Sequence, residues 1–271
     1  MATLTLTDGR TVNAALGGRS FEGDEPVVVL VHGAGMDRTV WQMQTRFLAH
    51  HGYRVVAIDL PGHGGTAGDP CTSIGDYADW LAEAIAGLGV GPVHVAGHSL
   101  GSLIGLELAA RRPELVSTLL LLGTAAAMPV HPVLLDAATN GDPLAGQLMS
   151  GWAFGKAGKL GVHPSPGANM VGGTQALLAN SAPGVLANDL AASGAYEGAI
   201  DAAAKVQAPV TVILGRSDRM TPLKAAQPLL DALNDPAVVI IDDCGHMMTL
   251  ERPDVVRQTM LDALRNQDAL S

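Results

Sequence analysis

Short apolar runs recur along the chain without internal polar alternation. Val27 to Val31, Arg54 to Ile58, Val93 to Ala96, Leu119 to Leu122 and Pro209 to Leu214 are β-branched or leucine-rich and end in glycine or polar residues. Such runs predict strands covered on both faces, as in a parallel sheet. Ala237 to Ile241 predicts the last strand. Helical spacing falls between them: Trp41 to His50 stopped by Gly52, Ile74 to Leu88 through Tyr77, Leu81 and Ile85, the proline-free stretch from Leu100 to Arg112, Ala225 to Leu233, and the amphipathic Pro253 to Asn266. Strands alternating with helices predict right-handed crossovers and an open, mostly parallel sheet flanked by helices, an α/β fold. Only the start departs from this pattern. Thr3 to Thr7 and Thr11 to Ala15 alternate weakly about Asp8-Gly9, which predicts an antiparallel hairpin at the sheet edge.

The alternation breaks between Thr124 and about Ala204, a stretch rich in Gly, Ala, Asn, Pro and Met that contains no arginine. Helical fragments are predicted near Val133 to Ala138, Gln175 to Ala179 and Val185 to Ala192, with loops at residues 163–167 and 182–184. This stretch reads as an insertion, so that residues 1–124 and 205–271 form one core and residues 125–204 a separate unit. Met128, Met149, Trp152, Phe154 and Met170 either line an apolar pocket or form the insertion's own small core. Trp41 is expected to pack the first helix onto the sheet, and His94 to be an exposed strand or edge residue.

Composition narrows the function classes. With 271 residues, 48% of them apolar, the chain can bury a sizeable core, and its net charge of −10 repels nucleic acid and anionic lipid. A small-molecule substrate is the expected partner, with no nucleic acid, no membrane, and a monomer or homodimer as the assembly. The first residues lack the basic and apolar regions of a secretory signal. The charge-free run from Leu115 to Leu135 holds Ser117, Gly123, Pro129 and Pro132 and fits a buried strand running into a loop. Cys71 and Cys244 are far apart and in no metal-ligand spacing, so reduced thiols and a cytoplasmic location are expected, with no metal and no cofactor.

The chemistry centres on Gly97-His98-Ser99-Leu100-Gly101, set between a predicted strand and a predicted helix. There the two glycines permit a sharp turn that turns Ser99 outward, a nucleophile elbow. A serine hydroxyl needs an imidazole to take its proton and a carboxylate to orient that imidazole. In the order serine, acid, histidine, His246 is the histidine that follows the last strand, and Asp218 leaves the penultimate one. Asp242 and Asp243 are rivals for the acid, but sit too close to His246 in sequence to aim well at its ring. His32, His63 and His98 read as structural loop histidines. An oxyanion needs two backbone N–H donors, and those of Leu100 and Ala34 are the candidates. Gly33, His98, Trp152, Phe154 and Met247 are the candidate substrate-contacting residues.

Five segments together resemble the α/β-hydrolase superfamily over nearly the whole length: residues 31–35, Asp59-Leu60-Pro61-Gly62-His63-Gly64, the Ser99 elbow, residues 215–222, and Gly245-His246 with Glu251-Arg252-Pro253. The resemblance implies a helical cap at residues 125–204 and Ser99-Asp218-His246 as a catalytic triad. It implies a serine hydrolase that cleaves a small, mostly apolar carboxylic ester or lactone through an acyl-enzyme. The superfamily also holds carbon–carbon bond hydrolases, cofactor-free lyases or oxygenases, and ligand-binding members with a vestigial triad. Carbon–carbon hydrolases of ring-cleavage products typically carry a cap arginine for a substrate carboxylate. Here the cap offers only Lys156 and Lys159, which act as point charges.

Overall fold

The apolar runs become the strands of one eight-stranded sheet in a computed structural model that describes residues 2–7, 9–163, 165 and 167–268. Asp8 of the predicted turn, and Pro164 and Pro166 of a predicted loop, lie outside the described residues. The strands are β1 (Ala2–Thr5), β2 (Thr11–Ala15), β3 (Val27–Val31), β4 (Arg54–Ile58), β5 (Val93–His98), β6 (Val116–Leu122), β7 (Val210–Gly215) and β8 (Ala237–Ile241). They lie in the order β1-β2-β4-β3-β5-β6-β7-β8. β1 and β2 form the expected antiparallel edge pair, β2 runs antiparallel to β4, and every other pairing is parallel. All residues of β3, β5 and β7 are buried, which is why their sequences do not alternate. β8 closes the opposite edge and leaves Val238 and Ile240 exposed.

His94 departs from expectation. It is 3% exposed, because β5 lies in the middle of the sheet between β3 and β6. Its ring meets Thr118 Oγ1 at 3.0 Å and Asp268 at 3.3 Å. Burial pushes its pKa down against the pull of Asp268.

The helices in chain order are α1 (Gln42–Ala49), α2 (Ile74–Gly87), α3 (Leu100–Arg111), α4 (Pro132–Thr139), α5 (Leu144–Ala153), α6 (Lys156–Lys159), α7 (Met170–Ala179), α8 (Val185–Gly194), α9 (Ala199–Ala203), α10 (Leu223–Ala232), α11 (Met248–Glu251) and α12 (Pro253–Asp268). A 3-10 turn over Arg38–Trp41 leads into α1, so the first helix starts one residue later than the spacing predicts, and Trp41 is fully buried. Ser73 starts α2 by accepting the Asp76 N–H at 3.1 Å and donating its hydroxyl to the Asp76 carboxylate at 2.7 Å, a reciprocal cap. Helices α4 to α9 occupy the chain between β6 and β7. The sequence anticipates α4, α7 and α8 and misses α5, α6 and α9. α5 carries Gly146 and Gly151 and has no side-chain cap, so its local propensity is poor. It is held by one buried face, Ala145, Met149, Ser150 and Ala153. Among the described residues, no helix is long and apolar enough to cross a membrane.

Candidate active site

Ser99 sits between β5 and α3 at φ 55° and ψ −118°, a conformation that costs a non-glycine residue energy and marks a functional turn. The backbones around it are too close for side chains. A Cβ on Gly97 would stand 2.0 Å from the Gly101 carbonyl oxygen, and one on Gly101 would stand 2.4 Å from that of Val31. The Ser99 N–H donates to the Leu122 carbonyl at 2.9 Å, which ties the turn to β6.

Asp218 lies on the loop leaving β7 and is 5% exposed. One oxygen accepts the N–H groups of Met220 and Thr221 at 2.8 and 2.9 Å. The other accepts the Thr221 hydroxyl at 2.7 Å and His246 Nδ1 at 2.8 Å. Burial alone would raise the carboxyl pKa, but the charge and hydrogen bond of His246, with the Thr221 donors, hold it well below the usual carboxylate range. Asp218 is therefore an anion, and Nδ1 of His246 donates to it. Among the described residues no protein group bonds Nε2. The rivals lie elsewhere: Asp242 is exposed and ion-paired with Arg216, and Asp243 is exposed at φ 50°.

His246 is held by its backbone. Its N–H donates to the Ala153 carbonyl at 2.6 Å, at the end of α5, and its carbonyl accepts from His98 Nε2 at 2.8 Å. Glu251 braces the same loop, accepting the N–H groups of Gly245 and Gly155 at 2.9 Å each. Ser99 and His246 line one cavity, and among the described residues no hydrogen bond joins the Ser99 hydroxyl to the ring. Such bonds are often long before substrate binds.

The Gly33 backbone lies against the elbow, where an added Cβ would come 3.3 Å from Ser99 Cβ. Among the described residues, neither the Ala34 N–H nor the Leu100 N–H meets a protein acceptor, whereas the adjacent N–H groups of Ser99 and Gly35 are both engaged. Leu100 also opens α3, whose N-terminal dipole favours negative charge.

The cavity measures about 360 Å³. Gly33, Ala34, His98, Ser99, His246 and Met247 line its floor, and Met128, Met149 and Trp152 its apolar wall. Phe154 does not line it. That side chain is 1% exposed and packs in the hydrophobic core where the chain leaves α5, and Met170 likewise stays outside this cavity. The methionines and aromatics of the insertion thus divide between pocket and core. Leu100 is fully buried, and its side chain does not line the cavity.

The sequence reading missed Arg219, His131 and Thr174 in the lining. Arg219 follows Asp218 directly and lies outside the arginine-free stretch of residues 125–204. Lys156 and Lys159 do not line the cavity, and Lys159 donates to the Gly151 carbonyl. Thr174 Oγ1 and His98 Nδ1 are buried without a protein partner among the described residues.

The three motif histidines have defined protonation. His98 must carry its proton on Nε2, which faces a carbonyl, and burial followed by repulsion from His246 drives its pKa down to about 3. His32 accepts the Leu60 N–H on Nε2 and donates from Nδ1 to the Gly33 carbonyl, with burial lowering it to about 4. His63 differs. Both its nitrogens face acceptors, Pro61 O and Asp189 Oδ2, each at 2.8 Å. Burial opposes its charge, but Asp189 outweighs burial and raises the pKa, so the charged ring is favoured more than in a free imidazole.

Known proteins resemble this chain over most of its length. A family model described as the alpha/beta hydrolase family matches residues 28–259. A pimeloyl-acyl-carrier-protein methyl ester esterase from Aromatoleum aromaticum is 32% identical over 260 residues, 89% of this chain and 99% of that protein. An (E)-2-((N-methylformamido)methylene)succinate hydrolase from Acinetobacter baylyi is 39% identical over 122 residues, 44% of each chain. Among solved structures, the enol-lactonase from Burkholderia xenovorans superposes with a TM-score of 0.85 at 22% identity, covering 97% of this chain and 100% of that one, a likeness of fold.

Proposed function

The chain belongs to the α/β-hydrolase family, and from that premise we propose that it is a serine hydrolase cleaving a small, mostly apolar carboxylic ester or lactone. The observation that carries this reading is the Asp218–His246 pair, which turns Nδ1 to the carboxylate and leaves Nε2, in the cavity that holds Ser99 on its strained turn, free of protein partners among the described residues. Ser99 Oγ attacks the carbonyl carbon while Nε2 takes its proton. The Ala34 and Leu100 N–H groups hold the resulting oxyanion. Collapse expels the alkoxide, which takes the proton back from His246, and the acyl group stays on Ser99. Water, deprotonated by the same nitrogen, attacks the acyl carbon; the bond to Ser99 Oγ breaks, Oγ takes the proton back from His246, and the acid leaves.

Residues 125–204 act as a cap over this site. The reading is supported by a cavity with Ser99 and His246 on one side and residues of α4, α5, α7 and α8 on the other. Its wall of Met128, Met149 and Trp152 suits an apolar acyl group, and methionine adapts to more than one shape. A relative named for a methyl ester supports ester chemistry.

Incubation with a fluorophosphonate followed by peptide mass spectrometry is expected to place the adduct on Ser99 at one equivalent per chain. An unlabelled protein, or an adduct elsewhere, overturns the mechanism.

Arg219 favours a second reading, carbon–carbon bond cleavage in a carboxylate-bearing substrate, since it is among the residues lining the cavity and an arginine can clamp a carboxylate. A relative named for a substituted succinate supports a carboxylate-bearing substrate. Under it, Arg219→Gln raises KM at least about tenfold for an acidic substrate and leaves neutral esters unaffected. Equal effects on both would exclude it.

A further inference from the structure

The function just proposed uses the Ala34 N–H but gives no role to the buried carboxylate beneath it. Asp189 lies on α8, inside the insertion, and is 0% exposed. Its Oδ2 accepts the Gly35 N–H and His63 Nε2, each at 2.8 Å. Its Oδ1 accepts the Tyr77 hydroxyl at 2.7 Å and the Asn188 side chain at 3.4 Å. Apart from Asn188, its neighbour on α8, the donors come from three core segments: the loop after β3, the loop after β4, and α2. One carboxylate from the insertion therefore closes a socket in the core.

What it closes on matters for chemistry. Residues 33–36 form a tight turn, with the Met36 N–H bonded to the Gly33 carbonyl at 3.2 Å and Gly35 at φ 65°. That places Gly35 at the third position of a type II turn, where glycine permits the preceding peptide to face either way. The Gly35 N–H belongs to that peptide, so the Asp189 bond selects one face. α8 also packs onto the same turn: a Cβ on Gly35 would fall 2.8 Å from Leu186 Cδ1. Charge strengthens the hold, because an ionised acceptor binds an N–H more tightly than a neutral one, and the His63 ring, both of whose nitrogens face acceptors, lies against it.

We infer that Asp189 is a positioning residue for the oxyanion hole: by holding the Gly35 N–H its carboxylate fixes the turn of residues 33–36, and with it the adjoining Gly33–Ala34 peptide, so that the Ala34 N–H is preset for the tetrahedral intermediate. The inference rests on the proposed ester chemistry. It makes assembly of the oxyanion site conditional on docking of α8. Undocking of α8 alone, with α5 still holding His246 through the Ala153 carbonyl, would leave Ser99 and His246 in place and the site catalytically slack.

The test is Asp189→Asn in the full chain, read in three ways on a p-nitrophenyl ester. Asparagine keeps the shape and removes the charge. The expected result is a kcat lower by about tenfold to a hundredfold, because one oxyanion donor is misaimed rather than lost. KM should change less than about threefold, and affinity for an alkylboronic acid, which binds Ser99 as a tetrahedral anion, should fall by the same factor as kcat. Tyr77→Phe removes a donor on the Oδ1 side only. It should lower Tm while leaving kcat and boronate affinity unchanged.

Wild-type values of kcat and boronate affinity in Asp189→Asn overturn the inference. So do losses in Tyr77→Phe that match those of Asp189→Asn, which would make the carboxylate a general brace. If Asp189→Asn does not fold, Asp189→Glu keeps the charge and displaces it by one methylene. The same kcat loss at constant KM then supports the inference, and wild-type kcat overturns it. Wild-type protein that neither hydrolyses esters nor binds the boronate overturns both readings. Wild-type protein that does both, beside an unaffected Asp189 variant, overturns this one alone.

Discussion

Ser99→Ala is expected to lower kcat/KM for a p-nitrophenyl ester by about 10⁴- to 10⁶-fold, the range found when a triad nucleophile is removed and only the oxyanion donors and binding remain. KM should hold within a few-fold, since the acyl group contacts the apolar wall and not the hydroxyl. The fold should be untouched. Alanine carries the same Cβ at φ 55° that serine does, so the strain of the elbow is unchanged, and the backbone bond from residue 99 to Leu122 survives. A Tm within a few degrees of wild type checks this. The result also separates the competing chemistries. A lyase or oxygenase using His246 as a base without a covalent step keeps most of its activity in Ser99→Ala and loses it in His246→Ala. A ligand-binding protein shows no turnover in any form. Retention of more than about a tenth of wild-type activity by Ser99→Ala is incompatible with an acyl-enzyme on Ser99.

The sheet was legible because a strand buried on both faces has to be apolar throughout, and such runs stand out from the helices between them. The same rule misleads at His94. A polar residue in an apolar run suggests exposure, but Thr118 and Asp268, 24 and 174 residues further along, give its ring partners in the middle of the sheet. Ser99, Asp218 and His246 could be singled out because the turn and the chain order constrain them locally. The insertion could not be read as well. α5 has poor intrinsic propensity and forms because one face is buried, a property of contacts and not of the segment. Asp189 carries no local mark at all in Leu186-Ala187-Asn188-Asp189-Leu190. Its partners Gly35, His63 and Tyr77 lie more than a hundred residues upstream. Arg219 lies beside Asp218 yet faces the cavity, which depends on how the loop after β7 is folded by the Asp218–Thr221 bonds.

Asp218→Asn is the other large effect expected, about a 10⁴-fold loss in kcat. The reason is the proton count around one carboxylate. Asp218 accepts four donors: two N–H groups on one oxygen, and the Thr221 hydroxyl and His246 Nδ1 on the other. An asparagine keeps its carbonyl toward the two backbone N–H groups, which cannot turn away. Its NH₂ must then face His246. A donor opposite Nδ1 favours the tautomer with the proton on Nε2, and that nitrogen can no longer take a proton from Ser99. The variant therefore keeps the geometry and loses the base, so KM should hold while kcat falls. The same carboxylate sets a signature in stability. Its folded pKa is depressed, so the stability it contributes is fully present above the unfolded value of about 3.9 and is lost as pH falls through the lower folded value. The Tm difference between wild type and Asp218→Asn should accordingly be constant from neutral pH down to about pH 5 and shrink below about pH 4. Asp242→Asn and Asp243→Asn, whose side chains are exposed and away from the His246 ring, should leave kcat within about twofold. A kcat in Asp218→Asn within tenfold of wild type, or a collapse in Asp242→Asn or Asp243→Asn instead, would move the role of the acid to another residue.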